Sequence, residues 1–168
     1  FQFEHVSEKQ ISRVLSMNWS GKHYSERIWK NTEGLAKELK TELLVSLITG
    51  RTDRETAEVI EQKFACGAKN ARRLIRTESS FLHGELAAAS YQECGIEKYQ
   101  FLATLDLRTS KICRRMDMKV FALKERKTGV NYPPMHPWCR STTVAVIEGE
   151  DLERLKRSAY NPSSGRIE

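Results

Sequence analysis

The sequence changes character at Gly95, and this change limits the folds open to the chain. Before Gly95, apolar residues recur with helical spacing among charged ones, and after it short β-branched and aromatic segments alternate with polar or Pro/Gly stretches. Helices followed by strands, rather than alternating with them, are typical of an α+β fold. We therefore predict an N-terminal helical segment packed on a small C-terminal mixed or antiparallel sheet.

Three helices are predicted before Gly95. Residues 25–48 carry an apolar stripe with helical spacing. Thr52 followed three residues later by Glu55 is a capping box, which indicates the start of a second helix. The third helix is predicted between Gly67 and Gly95, because glycine often follows the last turn of a helix.

The rest of the chain predicts strands and a weakly structured end. The segments "KYQFLATLD", "MKVFAL" and "STTVAVI" predict strands, and the charged stretch "RTSKICRR" predicts a strand or hairpin face. "EGEDLERLKRSAY" predicts a short helix, and "NPSSGRIE" predicts a fraying tail. We expect a helical region at 1–95, a β-rich region at 96–148 and a C-terminal helix and tail at 149–168, within one folded unit.

Length and composition narrow the class of protein. A chain of 168 residues can bury a core without disulfides or metal. No apolar run approaches the roughly 20 residues of a membrane span, and the first residues do not resemble a signal peptide. The four cysteines are irregularly spaced, which favours reduced thiols in a cytoplasmic setting. No membrane partner is expected, and the three tryptophans, Trp138 among them, are expected in packed positions.

Positive charge is concentrated in the C-terminal part. Residues 1–95 hold 14 basic side chains against 13 acidic ones, whereas residues 96–168 hold 14 against 9. Such a cluster attracts phosphate, although a solvated face is the simpler interpretation. The candidate DNA-contacting residues are Arg108, Lys111, Arg114, Arg115 and Lys119.

The stretch "NYPPMHPWCRSTT", residues 131–143, places three prolines around a histidine and a cysteine. His136 and Cys139, with Cys113 upstream, offer imidazole and thiolate ligands that suit tetrahedral zinc, and Asp106, Asp117 or water could be the fourth ligand. The alternative is a packed, metal-free corner in which the cysteines are buried and the histidine is hydrogen-bonded. No cofactor is required by the sequence, and zinc is the one candidate.

The same residues allow two further hypotheses. Cys139, His136 and Asp106 could act as nucleophile, base and orienting group, although the chain has no P-loop, Gly-x-Ser-x-Gly or zinc deaminase motif. Alternatively, Asp106 could form a structural ion pair across adjacent strands with Arg108 or Arg140. We favour the ion pair, and catalysis is not the leading expectation.

Four blocks carry a resemblance to a known family: "SGKHYSERIW", "ARRLIRTE", "YQFLATLDLRTSKICRRMDMKVF" and "GVNYPPMHPWCRSTT". In this order they resemble the phage Mu F-like minor head proteins, also called the phage head morphogenesis domain, from about Trp19 to Val146. The chain departs from the family pattern at Met118, where glycine usually follows the aspartate. Relatives also carry cysteine where this chain has Ser110 and Ser141.

The resemblance implies a minor capsid protein of the virion, present in the host cytoplasm during assembly. It implies the portal protein and procapsid components as partners and an influence on DNA ejection. The basic cluster adds non-specific contact with double-stranded DNA as an expectation. A zinc- or thiol-dependent enzyme, such as a nuclease or toxin-like effector, is the alternative, and a purely DNA-binding module is a third.

Overall fold

The computed structural model describes residues 33–64, 67–147 and 158–167. It confirms the α+β class, with helices in the N-terminal part and a small antiparallel sheet after them. The chain divides into two compact units, the first ending at Leu86 and the second beginning at Ala87. No helix among the described residues has the length and apolarity needed to cross a membrane.

The first unit is built from α-helices. They are α1 (Glu33–Thr49), α2 (Asp53–Phe64) and α3 (Ala68–Glu93), whose last turns belong to the second unit. The Thr52 hydroxyl accepts a hydrogen bond from the Glu55 amide at 3.3 Å, and the Glu55 carboxylate accepts one from the Thr52 amide at 2.8 Å. The capping box therefore forms as predicted, with both side chains satisfying amides at the start of α2.

Apolar side chains from all three helices form one core in this unit. The most completely buried are Ala57 and Ile60 of α2 and Ala71 and Ile75 of α3. The remaining buried members are Leu39, Leu43, Leu74 and Leu82. Burial of these apolar side chains against one another stabilises the three helices, because each helix alone is only marginally stable in water.

Polar contacts also join these helices. The buried Glu42 of α1 pairs with Arg51, and Lys63 of α2 lies 2.8 Å from its other carboxylate oxygen. Hydrogen bonds from Lys63 and Arg51 lower the pKa of Glu42. Arg76 of α3 contacts Asp53 of α2 at 3.1 Å, which adds an ion pair between those two helices.

The second unit contains the sheet. Strands β1 (Lys98–Leu102), β2 (Val120–Ala122) and β3 (Thr142–Val146) form an antiparallel sheet in the order β2-β1-β3. Tyr99 of the central strand is buried and pairs with Phe121 on one side and Ala145 on the other. The three predicted strands are thus present, each shorter than its sequence segment.

The core under the sheet is aromatic. Tyr99 meets Tyr132 edge to face, with ring centroids 5.0 Å apart, and its hydroxyl donates to the Asn131 carbonyl at 3.2 Å. Burial raises the pKa of Tyr99 well above its usual range. A polar tip on a buried ring needs such a partner, so this bond fixes the 131–132 loop against the sheet.

Two predictions about local structure are wrong. The stretch predicted as a strand or hairpin face contains a helix, α4 (Lys111–Met116), because the Ser110 side chain accepts from the Cys113 amide at 3.2 Å and caps its first turn. The predicted fraying tail contains a hairpin of β4 (Tyr160–Asn161) and β5 (Arg166–Ile167). The predicted helix over 148–160 lies outside the described residues except at 158–160, and the start of the predicted first helix lies outside them as well.

Met118 makes the turn for which the family usually has glycine. Its φ is 62°, in the left-handed region, and its amide donates to the Phe101 carbonyl at 2.8 Å. The turn therefore forms without glycine, at the conformational cost that a side chain incurs there.

Candidate functional site

Two segments of the second unit bring the cysteine and histidine side chains together. One segment is α4 with its N-cap Ser110, and the other is the proline-rich loop before β3. Cys113 is 2% exposed and Cys139 is fully buried, and apolar residues of β1 and its flanking loop pack around them. Both sulfurs are therefore shielded from bulk solvent.

The three candidate ligands converge on a small volume. The Sγ atoms of Cys113 and Cys139 lie 3.8 Å apart, and Nε2 of His136 lies 3.3 Å from the Cys113 sulfur. Among the described residues, these three form the group whose ligand atoms all lie within 4.8 Å of one another. Asp106 is not a member of it.

The orientation of His136 is set by its other ring nitrogen. Nδ1 lies 2.7 Å from the Pro137 carbonyl, which can only accept a hydrogen bond. Nδ1 therefore carries the proton, and Nε2 presents its lone pair toward the sulfurs and the Ser110 hydroxyl, 2.8 Å away.

The thiols of Cys113 and Cys139 share a hydrogen bond that shifts their pKa values in opposite directions. It raises the pKa of Cys113 well above its usual range, together with burial, and lowers the pKa of Cys139 to about 5. Amides of Met135 and Ser141 and the Ser141 side chain also favour the Cys139 thiolate. The shared hydrogen bond therefore makes Cys139 the more acidic of the two thiols.

Asp106 has a different partner. Both carboxylate oxygens accept from the Arg140 guanidinium, one at 2.5 Å and the other at 2.6 Å. This bidentate contact holds the pKa of Asp106 well below its usual range, and Thr109 adds a hydrogen bond at 3.1 Å. Arg108 is more distant, at 3.8 Å, and its side chain is 84% exposed.

This placement changes two of the expectations. Asp106 and Arg140 meet between loops and not across adjacent strands. The orienting group for His136 is the Pro137 carbonyl and not Asp106, so the hypothesis of a nucleophile, base and carboxylate in sequence is wrong as it was stated.

The candidate DNA-contacting side chains lie on and around α4. Lys111, Arg114 and Arg115 of α4 are exposed, as is Lys119 beyond it. Within the described residues, Lys111, Arg115 and Lys119 form no ion pair, and Arg114 donates to the Leu107 carbonyl at 3.0 Å. A compact set of basic side chains is therefore presented to solvent from one short helix and the turn after it.

Two features of the site were not predicted from the sequence. Ser110 was seen only as a position where relatives carry cysteine, yet it caps α4 and contacts His136; a serine before a short helix was the available signal. Trp138 was expected in a packed position but is 43% exposed, with φ at 64° in the proline-rich loop.

Comparison with known proteins gives the following matches. The family model described as Phage Mu protein F like protein matches residues 37–144. The NAD(+)–arginine ADP-ribosyltransferase EFV of Enterococcus faecalis is 26% identical over 165 residues, which cover 90% of this chain and 34% of that protein. An uncharacterized protein of Haemophilus influenzae is 24% identical over 109 residues, covering 65% of this chain and 24% of that protein.

This chain matches only a part of each relative. The chain spans about a third of the first relative and about a quarter of the second. No solved structure matches the chain.

Proposed function

We propose, from the premise that this chain belongs to the Phage Mu protein F like family, that it is a minor head protein acting in phage head morphogenesis. The family match spans α1 to β3, so it includes both the helical core and the cysteine-histidine corner. Within that role, we propose that the chain works through protein contacts with the portal and procapsid and becomes part of the virion.

We propose further that the basic surface around α4 contacts packaged DNA. The observation that carries this step is the exposure of Lys111, Arg114, Arg115 and Lys119 from one short helix and its following turn. Eight basic residues between 106 and 127 face three acidic ones, and one of these, Asp106, is engaged by Arg140. The remaining excess of positive charge suits phosphate without base recognition.

A salt series in gel-shift titrations tests this contact. Contact by three or four side chains predicts a slope of roughly −3 for log affinity against log salt, with dissociation constants of about 10⁻⁴ to 10⁻⁶ M. Changing Arg114→Gln and Arg115→Gln together should reduce the slope by about two and leave melting unchanged.

The chain offers a matched control in its helical unit. Lys69 and Arg72 of α3 are exposed, three residues apart, and equally basic. Lys69→Gln with Arg72→Gln removes the same charge and should leave the slope near its parent value. A parent slope near zero, or equal losses in both double variants, would show that α4 is a solvated face or a docking site for an acidic protein.

The name of the Enterococcus relative describes an activity of that protein. We propose that the ADP-ribosyltransferase activity belongs to the two thirds of that relative that this chain does not match. Incubation with NAD⁺ and an arginine acceptor should leave NAD⁺ unconsumed. Release of nicotinamide would instead favour an enzyme, and nuclease activity lost with a chelator would favour the zinc-dependent alternative.

A further inference from the structure

The arrangement of Cys113, His136 and Cys139 has the dimensions of a tetrahedral metal site. Bond lengths of about 2.3 Å to sulfur and about 2.0 Å to nitrogen place two sulfurs about 3.8 Å apart and a sulfur and a nitrogen about 3.5 Å apart around one zinc ion. The observed separations are 3.8 Å for the sulfurs and 3.3 Å for the Cys113 sulfur and Nε2 of His136. All three ligand atoms lie within 4.8 Å of one another, so a small movement brings them to one ion.

The hydrogen bonds around these atoms suit the same purpose. The Pro137 carbonyl holds the proton of His136 on Nδ1 and leaves the Nε2 lone pair directed at the sulfurs. Metal-bound histidines are oriented in this way, by a hydrogen bond from the nitrogen that does not bind the metal. Backbone amides of Met135 and Ser141 donate toward the Cys139 sulfur, which stabilises the thiolate form that a metal requires.

Charge balance allows the site to be buried. Two thiolates, a neutral imidazole and a divalent cation carry no net charge, so the buried position adds no unpaired charge to the interior. The neighbouring Arg140 does not disturb this balance, because Asp106 neutralises it through two hydrogen bonds.

We propose that Cys113, His136 and Cys139 bind one zinc ion, which ties α4 to the proline-rich loop, and that the fourth position is taken by a water molecule beside Ser110. The ion would be structural, because both sulfurs are buried and the ligands come from two separate segments, α4 and the proline-rich loop. It would join segments that lie 26 residues apart in the chain. The proposal rests on the second unit alone and does not depend on the proposed contact with DNA.

The full chain, purified without a histidine tag, tests the proposal directly. After dialysis against buffered zinc, elemental analysis should find one zinc per chain. Replacement by Co²⁺ should give the visible bands of a tetrahedral site together with a near-ultraviolet thiolate-to-cobalt band. A chain that retains no zinc, or a cobalt spectrum without the thiolate band, would overturn the proposal.

Variants then assign the ligands. Cys113→Ser, His136→Ala and Cys139→Ser should each weaken zinc binding by more than about a hundredfold, since loss of only an outer partner of a ligand costs about 10- to 100-fold. Cys94→Ser and His83→Ala are matched controls, because both residues are exposed and lie on or after α3. Equal binding by ligand and control variants would place the metal elsewhere.

A gain of affinity avoids the problem that a ligand variant may not fold. The Ser110 hydroxyl lies 2.8 Å from Nε2 of His136, so Ser110→Cys would supply a fourth ligand. Zinc affinity measured by chelator competition should rise at least about tenfold, because structural zinc sites are closed by four protein ligands. An unchanged affinity in a folded Ser110→Cys chain would contradict the proposed position of the ion.

Discussion

Each of the two units is stabilised by a different kind of contact. In the helical unit, apolar side chains repeat along α1, α2 and α3 and meet in one core, with ion pairs such as Glu42–Lys63 joining the helices around it. In the second unit, the core is small and rich in tyrosine and cysteine, and single polar contacts fix the loops. Removing one contact should therefore weaken the shared core in the first unit. In the second unit it should disturb mainly the loop that the contact fixes.

The largest loss of stability is expected from the helical core. Ile75 is fully buried among residues of α1 and α2, so Ile75→Ala should lower the free energy of unfolding by about 3 kcal/mol, within the usual range of 2 to 5 for a buried isoleucine. Ile112→Ala in α4, where the side chain is 53% exposed, is the matched control and should cost less than about 0.5 kcal/mol. Urea titrations measure both, and equal losses would contradict the placement of Ile112.

A second effect in the helical unit depends on pH. Burial raises the pKa of Glu78 in α3 from 4.5 to about 7, so the folded state holds its proton more tightly than the unfolded state. The contribution of Glu78 to the free energy of unfolding should consequently be fully present below pH 4.5 and be lost as the pH rises to about 7, by up to about 3 kcal/mol. Glu78→Gln should remove this fall, whereas Glu58→Gln, at an exposed position of α2, should retain it. A parent profile that is flat between pH 4.5 and 7 would show that Glu78 reaches solvent.

The ion pair in the second unit should have an intermediate effect. Asp106→Asn leaves Arg140 without its charged partner and should cost about 1 to 2 kcal/mol, less than a fully buried pair because both side chains are partly exposed. A double-mutant cycle should give most of that energy to Asp106–Arg140 and almost none to Asp106–Arg108, whose arginine is 84% exposed. Because the pKa of Asp106 is lowered, this stabilisation should be present above pH 3.8 and decline as the pH falls further. A cycle in which Asp106 is independent of Arg140 would refute the pair.

The smallest expected effect is a gain of stability. Met118 occupies a left-handed conformation that favours glycine, so Met118→Gly should raise the melting temperature, with a net stabilisation of about 0.5 kcal/mol after the entropy that glycine loses. Lys119→Gly, one residue later and without positive φ, should lower it instead. If both changes destabilise, contacts of the Met118 side chain outweigh the backbone strain.

Sequence patterns predicted the longer helices and strands better than the shortest ones. The capping box at Thr52 and the strand around Tyr99 followed from local chemistry, which is repeated or tightly spaced along the chain. The helix α4 did not, because its length of six residues is too short for an apolar period and its charges dominated the interpretation. The hairpin at the C-terminal end was missed for a related reason, since its two-residue strands carry no recognisable alternation.

At the site, spacing could suggest candidate residues but not their partners. A histidine and a cysteine three residues apart in a proline-rich loop indicated a corner, yet whether Asp106 faces His136 or Arg140 depends on how distant loops meet. The Pro137 carbonyl that orients His136 is a backbone group, so its role cannot be inferred from the type of residue. Backbone groups of this kind are visible only once the fold is known.

The C-terminal hairpin has a mechanical consequence. The amide of Tyr160 donates to the Leu105 carbonyl at 2.8 Å, next to the carboxylate that holds Arg140. Force applied to this hairpin is therefore delivered to the loop that carries Asp106.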